Sequence, residues 1–292
     1  WVRGYFRIAL ALLAFLIGIA DVSGIFYGRA SSALSQPVSR FSLCASKDCN
    51  QSKYYVGYNR TNSVVLQGEE AKLGQKPDTI LANVSDIALK NSFPEIDEQL
   101  IDREDGNYVS SVHRIPKVQI GFLRKSELMR VHTNQADASA TATVKLFWGD
   151  TFTVTSRTLQ QGSPVTVFIE RIGSGFGNPV TDNAFYQANF KTFLNGQSLN
   201  NLDFNVKKEP GKGQKDQVSG SDKVTFALNT KVGNSFTLES LLEVKDGVMS
   251  GADADQKLNG ADQVQHRINL APEQINVVCV QSVSRKFSSG KC

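Results

Sequence analysis

From about residue 117 onward the chain breaks into short runs rich in Val, Thr, Phe and Ile, separated by Gly, Asn, Asp and Pro. β-branched and aromatic residues suit a pleated surface, and such runs between turn formers read as strands. The runs predict strands at 117–124, 140–147, 151–157, 164–170, 185–194, 202–207, 223–230, 234–245, 263–270 and 275–283. Several alternate: Phe152 and Val154 share one face, Thr151, Thr153 and Thr155 the other. A period of two with one wet face is what an antiparallel sheet over a core requires. No long helical period separates the runs, which weighs against βαβ units. The expected fold is mostly β, an antiparallel β-sandwich of jelly-roll or immunoglobulin-like type.

The region before residue 117 reads differently. Residues 8–20 contain no polar side chain and follow Arg3 and Arg7, the layout of an export signal. Counted on to Tyr27, the stretch approaches the ~20 residues of a membrane span. Residues 1–27 are therefore expected to be a signal peptide or an uncleaved signal-anchor helix. Either places the remainder outside the cytoplasm: secreted, periplasmic or at the cell surface. If uncleaved, residues 8–27 hold the chain to the membrane. Residues 28–116 are expected to be a linker and a small mixed α/β region, with one helix face at Ile80, Leu81, Val84, Ile87, Ala88 and Leu89. That helix would continue weakly into Ile96, Leu100 and Ile101. Residues 117–292 form the expected sandwich domain.

Cysteine usage agrees with export. Cys44, Cys49, Cys279 and Cys292 are an even set, which in an oxidising compartment favours disulfides. Local pairs, Cys44–Cys49 and Cys279–Cys292, need the least chain closure, whereas cross pairs would stabilise more. Charge gives little: 32 Lys and Arg against 28 Asp and Glu leave +4, spread evenly, which argues against nucleic acid as a partner.

Residues 137–170 read DASATATVKLFWGDTFTVTSRTLQQGSPVTVFIE, and residues 260–290 run from Gly-Ala-Asp through a strand to Gln-Ser and Ser-Gly. This C-terminal half resembles bacterial exported β-sandwich proteins of the PEP-CTERM-associated type. The resemblance implies export and a sandwich, with no defined activity. A Pro-Glu-Pro motif with an apolar span and basic tail is not found here; the chain ends Ser-Ser-Gly-Lys-Cys.

No motif specifies a reaction. Gly-x-Ser-x-Gly is absent, and Gly173-Ser174-Gly175-Phe176-Gly177 lacks the spacing of a phosphate-binding loop, so it reads as a hairpin loop. His113, His132 and His266 are isolated and read as packing or surface residues. The acids from Glu95 to Asp105 read as a solvated face. Asp253, Asp255 and Asp262 are candidate calcium ligands in a loop at 246–262, although their spacing does not match an EF-hand. Calcium is the one cofactor considered. Trp148 is a candidate ligand-binding ring for a glycan. Successive strand residues point to opposite faces, so Phe147 and Trp148 should not both be core, and one should be exposed or at an edge. The expected function is an exported, non-enzymatic cell-envelope protein with a structural or adhesive role, contacting other envelope or membrane proteins. The alternatives are a membrane-anchored accessory subunit of a larger complex and a carbohydrate-binding module; an enzyme is the weakest reading.

Overall fold

A computed structural model of the chain describes residues 31–32, 43, 53–76, 81–82, 95–133, 137–179, 183–200, 203–208, 218–250 and 255–292. The predicted N-terminal helix, the linker to residue 42 apart from Ser31 and Ser32, Cys44, Cys49, Asp253 and most of the 79–91 helix face lie outside the described residues. The described strands are β1 (Ser31–Ser32), β2 (Tyr54–Leu66), β3 (Glu69–Lys76), β4 (Leu81–Ala82), β5 (Glu95–Asp102) and β6 (Tyr108–Gln119). They continue with β7 (Phe122–His132), β8 (Ala138–Ser156), β9 (Pro164–Pro179), β10 (Ala184–Leu194), β11 (Gln197–Ser198) and β12 (Phe204–Lys208). The last are β13 (Val218–Lys231), β14 (Ser235–Met249), β15 (Asp255–Leu270), β16 (Val278–Ser282) and β17 (Ser288–Gly290).

These strands form two sheets, packed together as a β-sandwich. The first runs in the order β1-β13-β9-β15-β7-β6-β5. The second runs β11-β10-β14-β8-β16-β17, with β12 beside β10 and with β2 on β8 bringing β3 and β4. Pairing is antiparallel apart from the short β1–β13 contact. β8 organises the second sheet. Its residues 138–150 pair with β2, its residues 152–156 with β16, and its other edge with β14 along nearly its whole length. The break expected between strands 140–147 and 151–157 does not occur.

The core follows strand phase. On β15 the even residues from Leu258 to Leu270 are buried and the odd ones mostly exposed. β7 buries Leu123, Met129 and Val131; β14 buries Leu238, Leu242, Val244 and Val248. Gln67 and Gly68 join β2 to β3 with positive φ at both positions (50° and 78°), as do Asn195 and Gly196 between β10 and β11 (50° and 77°). That backbone matches the right-handed twist of the flanking strands, which is why Asn-Gly marks such a turn.

Several expectations are corrected. Residues 95–102 form strand β5 at the sheet edge, not a helical continuation. The run at 117–124 straddles the β6–β7 turn at Gly121, where φ is +83°. A boundary between 116 and 117 falls inside β6, and β2, β5 and β6 belong to the same two sheets as the later strands. The glycine-rich segment 173–177 lies within β9, and much of the loop expected at 246–262 belongs to β14 and β15.

Candidate functional site

The inner faces of the sheets are mostly apolar, and along one band charge is enclosed between the layers. β7 turns Lys125 and Glu127 inward in phase with Leu123 and Met129. β15 places Asp262 beside Lys125 and Gly260 beside Glu127. From the opposite sheet, β14 and β10 present Asp246 and Tyr186, which are register partners. Lys125 Nζ donates to Asp246 Oδ2 across the layers at 2.8 Å. The same nitrogen lies 3.1 Å from Glu127 Oε2, an ion-pair distance but off the line of a hydrogen bond. Tyr186 donates its hydroxyl proton to Asp262 Oδ1.

Small residues make the space. Gly260 is needed because a Cβ there would overlap Glu127 Oε1. At Gly177 a Cβ would lie 2.7 Å from the Tyr186 ring. Ala142, in register with Asp246, keeps the second sheet shallow at the same level. Gly177 of β9 thus admits the Tyr186 ring from the opposite layer.

One cation faces three carboxyl groups where water is excluded, and a buried negative charge without a partner is expensive. Burial pushes Glu127 well above the ordinary carboxylate range; Asp246 and Asp262 add to this and Lys125 opposes it. Burial likewise raises Asp262 to about 7, against the pull of Lys125 and of the Tyr186 hydrogen bond. Burial alone would lower the Lys125 ammonium, but Asp246, Glu127 and Asp262 together hold it above the usual lysine value. Tyr186 is raised by burial and by Asp262. Glu127 and Asp262 therefore hold their protons more tightly than exposed acids do. Asp246 Oδ1, Asp262 Oδ2 and both Glu127 oxygens have no hydrogen-bond partner.

His113 on β6 sits in register with Glu127, and its Nε2 is 3.1 Å from Ser111 Oγ. Burial, with the cations Lys125 and Arg60 acting against Asp246, lowers it to about 4. Further along β15, His266 Nε2 lies 3.0 Å from Thr192 Oγ1, and its ring meets Trp148 edge-on at 5.3 Å. Burial and the neighbouring Arg171 lower His266 to about 3. Arg171 itself reaches Asp222 Oδ2 at 2.7 Å.

The residues expected from sequence are placed as follows. Asp255 opens β15 opposite His132, and Asp262 is seven residues further on. On an extended strand that separates their Cα atoms by about 23 Å, so the two do not meet at one ion. No group of three His, Cys, Asp or Glu able to hold a metal occurs among the described residues. Trp148 is fully buried, packed on His266 and Phe287, so its face is not open to a sugar. Phe147 is buried too, on the outer face of the sheet, where its ring meets Tyr55 at 5.9 Å. The expectation that one of the two is exposed fails because both faces of β8 are covered at that point. Cys279 and Cys292 form a disulfide that ties β16 to the residues just after β17. His113 and His266 are interior polar groups, whereas His132 stacks on Tyr108 with centroids 5.2 Å apart.

Lys125, Glu127 and Asp246 were not singled out from sequence. Their signal is phase. Leu-x-Lys-x-Glu-x-Met-x-Val at 123–131 puts two charges on the apolar face of an alternating strand. Leu242, Val244 and Val248 do the same for Asp246.

No family model matches the chain, and no curated protein does. Among solved structures, the isomalto-dextranase of Arthrobacter globiformis T6 complexed with panose is similar at 11% identity with a TM-score of 0.16. That similarity covers 71% of this chain and 30% of the other, so the chain spans under a third of that protein's length. A likeness at that level bears on neither fold nor activity.

Proposed function

We propose that the chain is an exported, non-enzymatic β-sandwich of the cell envelope with a structural or adhesive role. The observation that carries this reading is the Cys279–Cys292 disulfide, since paired thiols belong to oxidising compartments. The basic start and apolar run of residues 1–20 support it, as does the likeness of residues 137–170 and 260–290 to exported sandwich proteins. Contact with another envelope protein would run along a sheet edge or an outer face.

Fractionation of native cells, with thiol labelling under denaturing conditions, tests the proposal. The chain is expected in the envelope or the medium, with Cys279 and Cys292 unlabelled. An intact cytoplasmic chain with both thiols free overturns it. N-terminal sequencing of the same material separates a released module from the tethered alternative. A native start near Asp21 or Ile25 removes the tether, and retention of residues 8–27 supports it.

A further inference from the structure

The arrangement around Lys125 contains the parts of an amide-forming reaction. An amine and a carboxyl group condense readily when they are held together, aligned and kept from water. Lys125 Nζ and Asp246 Oδ2 are 2.8 Å apart, and both side chains have no solvent exposure. Cγ of Asp246 is one bond beyond that oxygen. The two groups come from different sheets and are separated by 121 residues, so the fold alone brings them together. Fixing two reactants in this way is worth effective concentrations of about 10⁵–10⁸ M.

Glu127 is the third part. Its carboxyl is as fully enclosed as the pair it serves and reaches Lys125 Nζ at 3.1 Å. Neither of its oxygens is committed to a hydrogen bond. Burial favours its acid form. An acid with two unengaged oxygens beside the reacting nitrogen can donate a proton from one and accept a proton at the other.

We infer that Lys125 and Asp246 condense into an intramolecular amide that joins the two sheets, with Glu127 as the proton carrier. The ammonium first passes a proton to the Asp246 carboxylate along their hydrogen bond, leaving a free amine facing a carboxylic acid. Nζ adds to Cγ. Glu127 gives its proton to the departing hydroxyl and takes one from the nitrogen, so it ends as it began. One Cγ–N bond forms, one Cγ–O bond breaks and one water leaves. No oxidant, reductant or activating co-reactant enters the balance. Two opposite charges vanish from a dry interior, so the product escapes the desolvation cost of the ion pair.

The bond forms wherever the chain folds, so it stands or falls separately from export. Peptide mapping by mass spectrometry tests it on the full chain, folded and then denatured, reduced and digested with trypsin. The expected result is a branched peptide joining the segment that contains Lys125 to the one that contains Asp246, at their summed mass less one water. Cleavage after Lys125 is lost while cleavage after Arg124 persists. Lys125→Arg and Asp246→Ala are expected to abolish the branch. Glu127→Gln, which keeps the shape, is expected to slow its formation by about a hundredfold or more.

Full recovery of both linear peptides from protease-resistant, folded wild type overturns the proposal. Asp246 precedes Gly247, and a cyclic imide there would lose the same mass within a linear peptide. That product, surviving in Lys125→Arg, also overturns it. A branch from Lys125 to Glu127 or Asp262 overturns the assignment to Asp246. An unchanged rate in Glu127→Gln removes Glu127 from the reaction.

Discussion

Asp150 shows how one enclosed residue can organise a loop. It is the register partner of Leu238 on β14 and is fully buried. Its carboxylate accepts from the Ser284 hydroxyl and, at 3.3 Å, from the Ser284 backbone N–H. Ser282 Oγ, 3.1 Å from Ser284 Oγ, accepts from the Phe287 backbone N–H. The turn is thereby held so that the Phe287 ring packs on Trp148 and Phe152. Burial raises Asp150 to about 6, although every hydrogen bond it accepts pulls the other way. A folded value above the unfolded one means that the folded state holds the proton more tightly. The stabilising contribution is therefore complete below about pH 4 and is lost as pH rises through about 6. Asp150→Asn has no proton to lose. Denaturant titrations at a series of pH values should show the wild type losing about 1–3 kcal/mol relative to the variant between pH 4 and 6. A constant difference would mean that Asp150 is ionised throughout.

At the scale of elements, glycines in β9 and β15 make room between the layers for a side chain from the other sheet in one case and from the neighbouring strand β7 in the other. Glycine weakens a strand, so an alternating run of glycines needs a packing reason. At Gly177 the reason is the Tyr186 ring, and at Gly260 it is the Glu127 carboxyl. Gly177→Ala should displace Tyr186 from Asp262 and cost about 1–3 kcal/mol, as overpacking does in a filled core. Gly260→Ala should cost a similar amount and move Glu127 away from Lys125. Urea unfolding midpoints check both, and a neutral result at Gly177 would mean that the sheets can part there without penalty. The same close fit explains why phase decides burial. A charge on the apolar phase of β7 has nowhere to go but the interior, where it needs a partner from the opposite sheet.

At the scale of the molecule, two sheets built from strands far apart in sequence share one interior. β2 pairs with β8, and β15 lies between β7 and β9. Such non-local pairing makes folding slow, because long loops close before their contacts form. The Cys279–Cys292 bridge contributes differently. It closes a short loop, with a sequence separation of 13, at the margin of the second sheet. Reduction should lower the stability of the folded chain by about 2–3 kcal/mol without dissolving the sandwich. Guanidinium titrations with and without reductant measure this. Complete unfolding on reduction would mean that the core alone does not hold the sheets together.

Alternation and turn chemistry were enough to determine that the chain is a β-sandwich and where β10, β13, β14 and β16 lie, because period-two burial and turn-forming residues are local properties of the chain. They could also place His266 on a strand, but not against anything, whereas Asp262 was expected in a loop and His113 lay before the first expected strand. Which sheet faces which, and hence that Lys125 meets Asp246 and that Tyr186 meets Asp262, depends on register between strands more than 70 residues apart. Local pattern holds no information about that register. The same limit explains Trp148. Its strand was legible, but the cover on both sides of β8 was not, because cover is supplied by other strands. Chain pattern determined the layers, and tertiary packing decided which charges share the space between them.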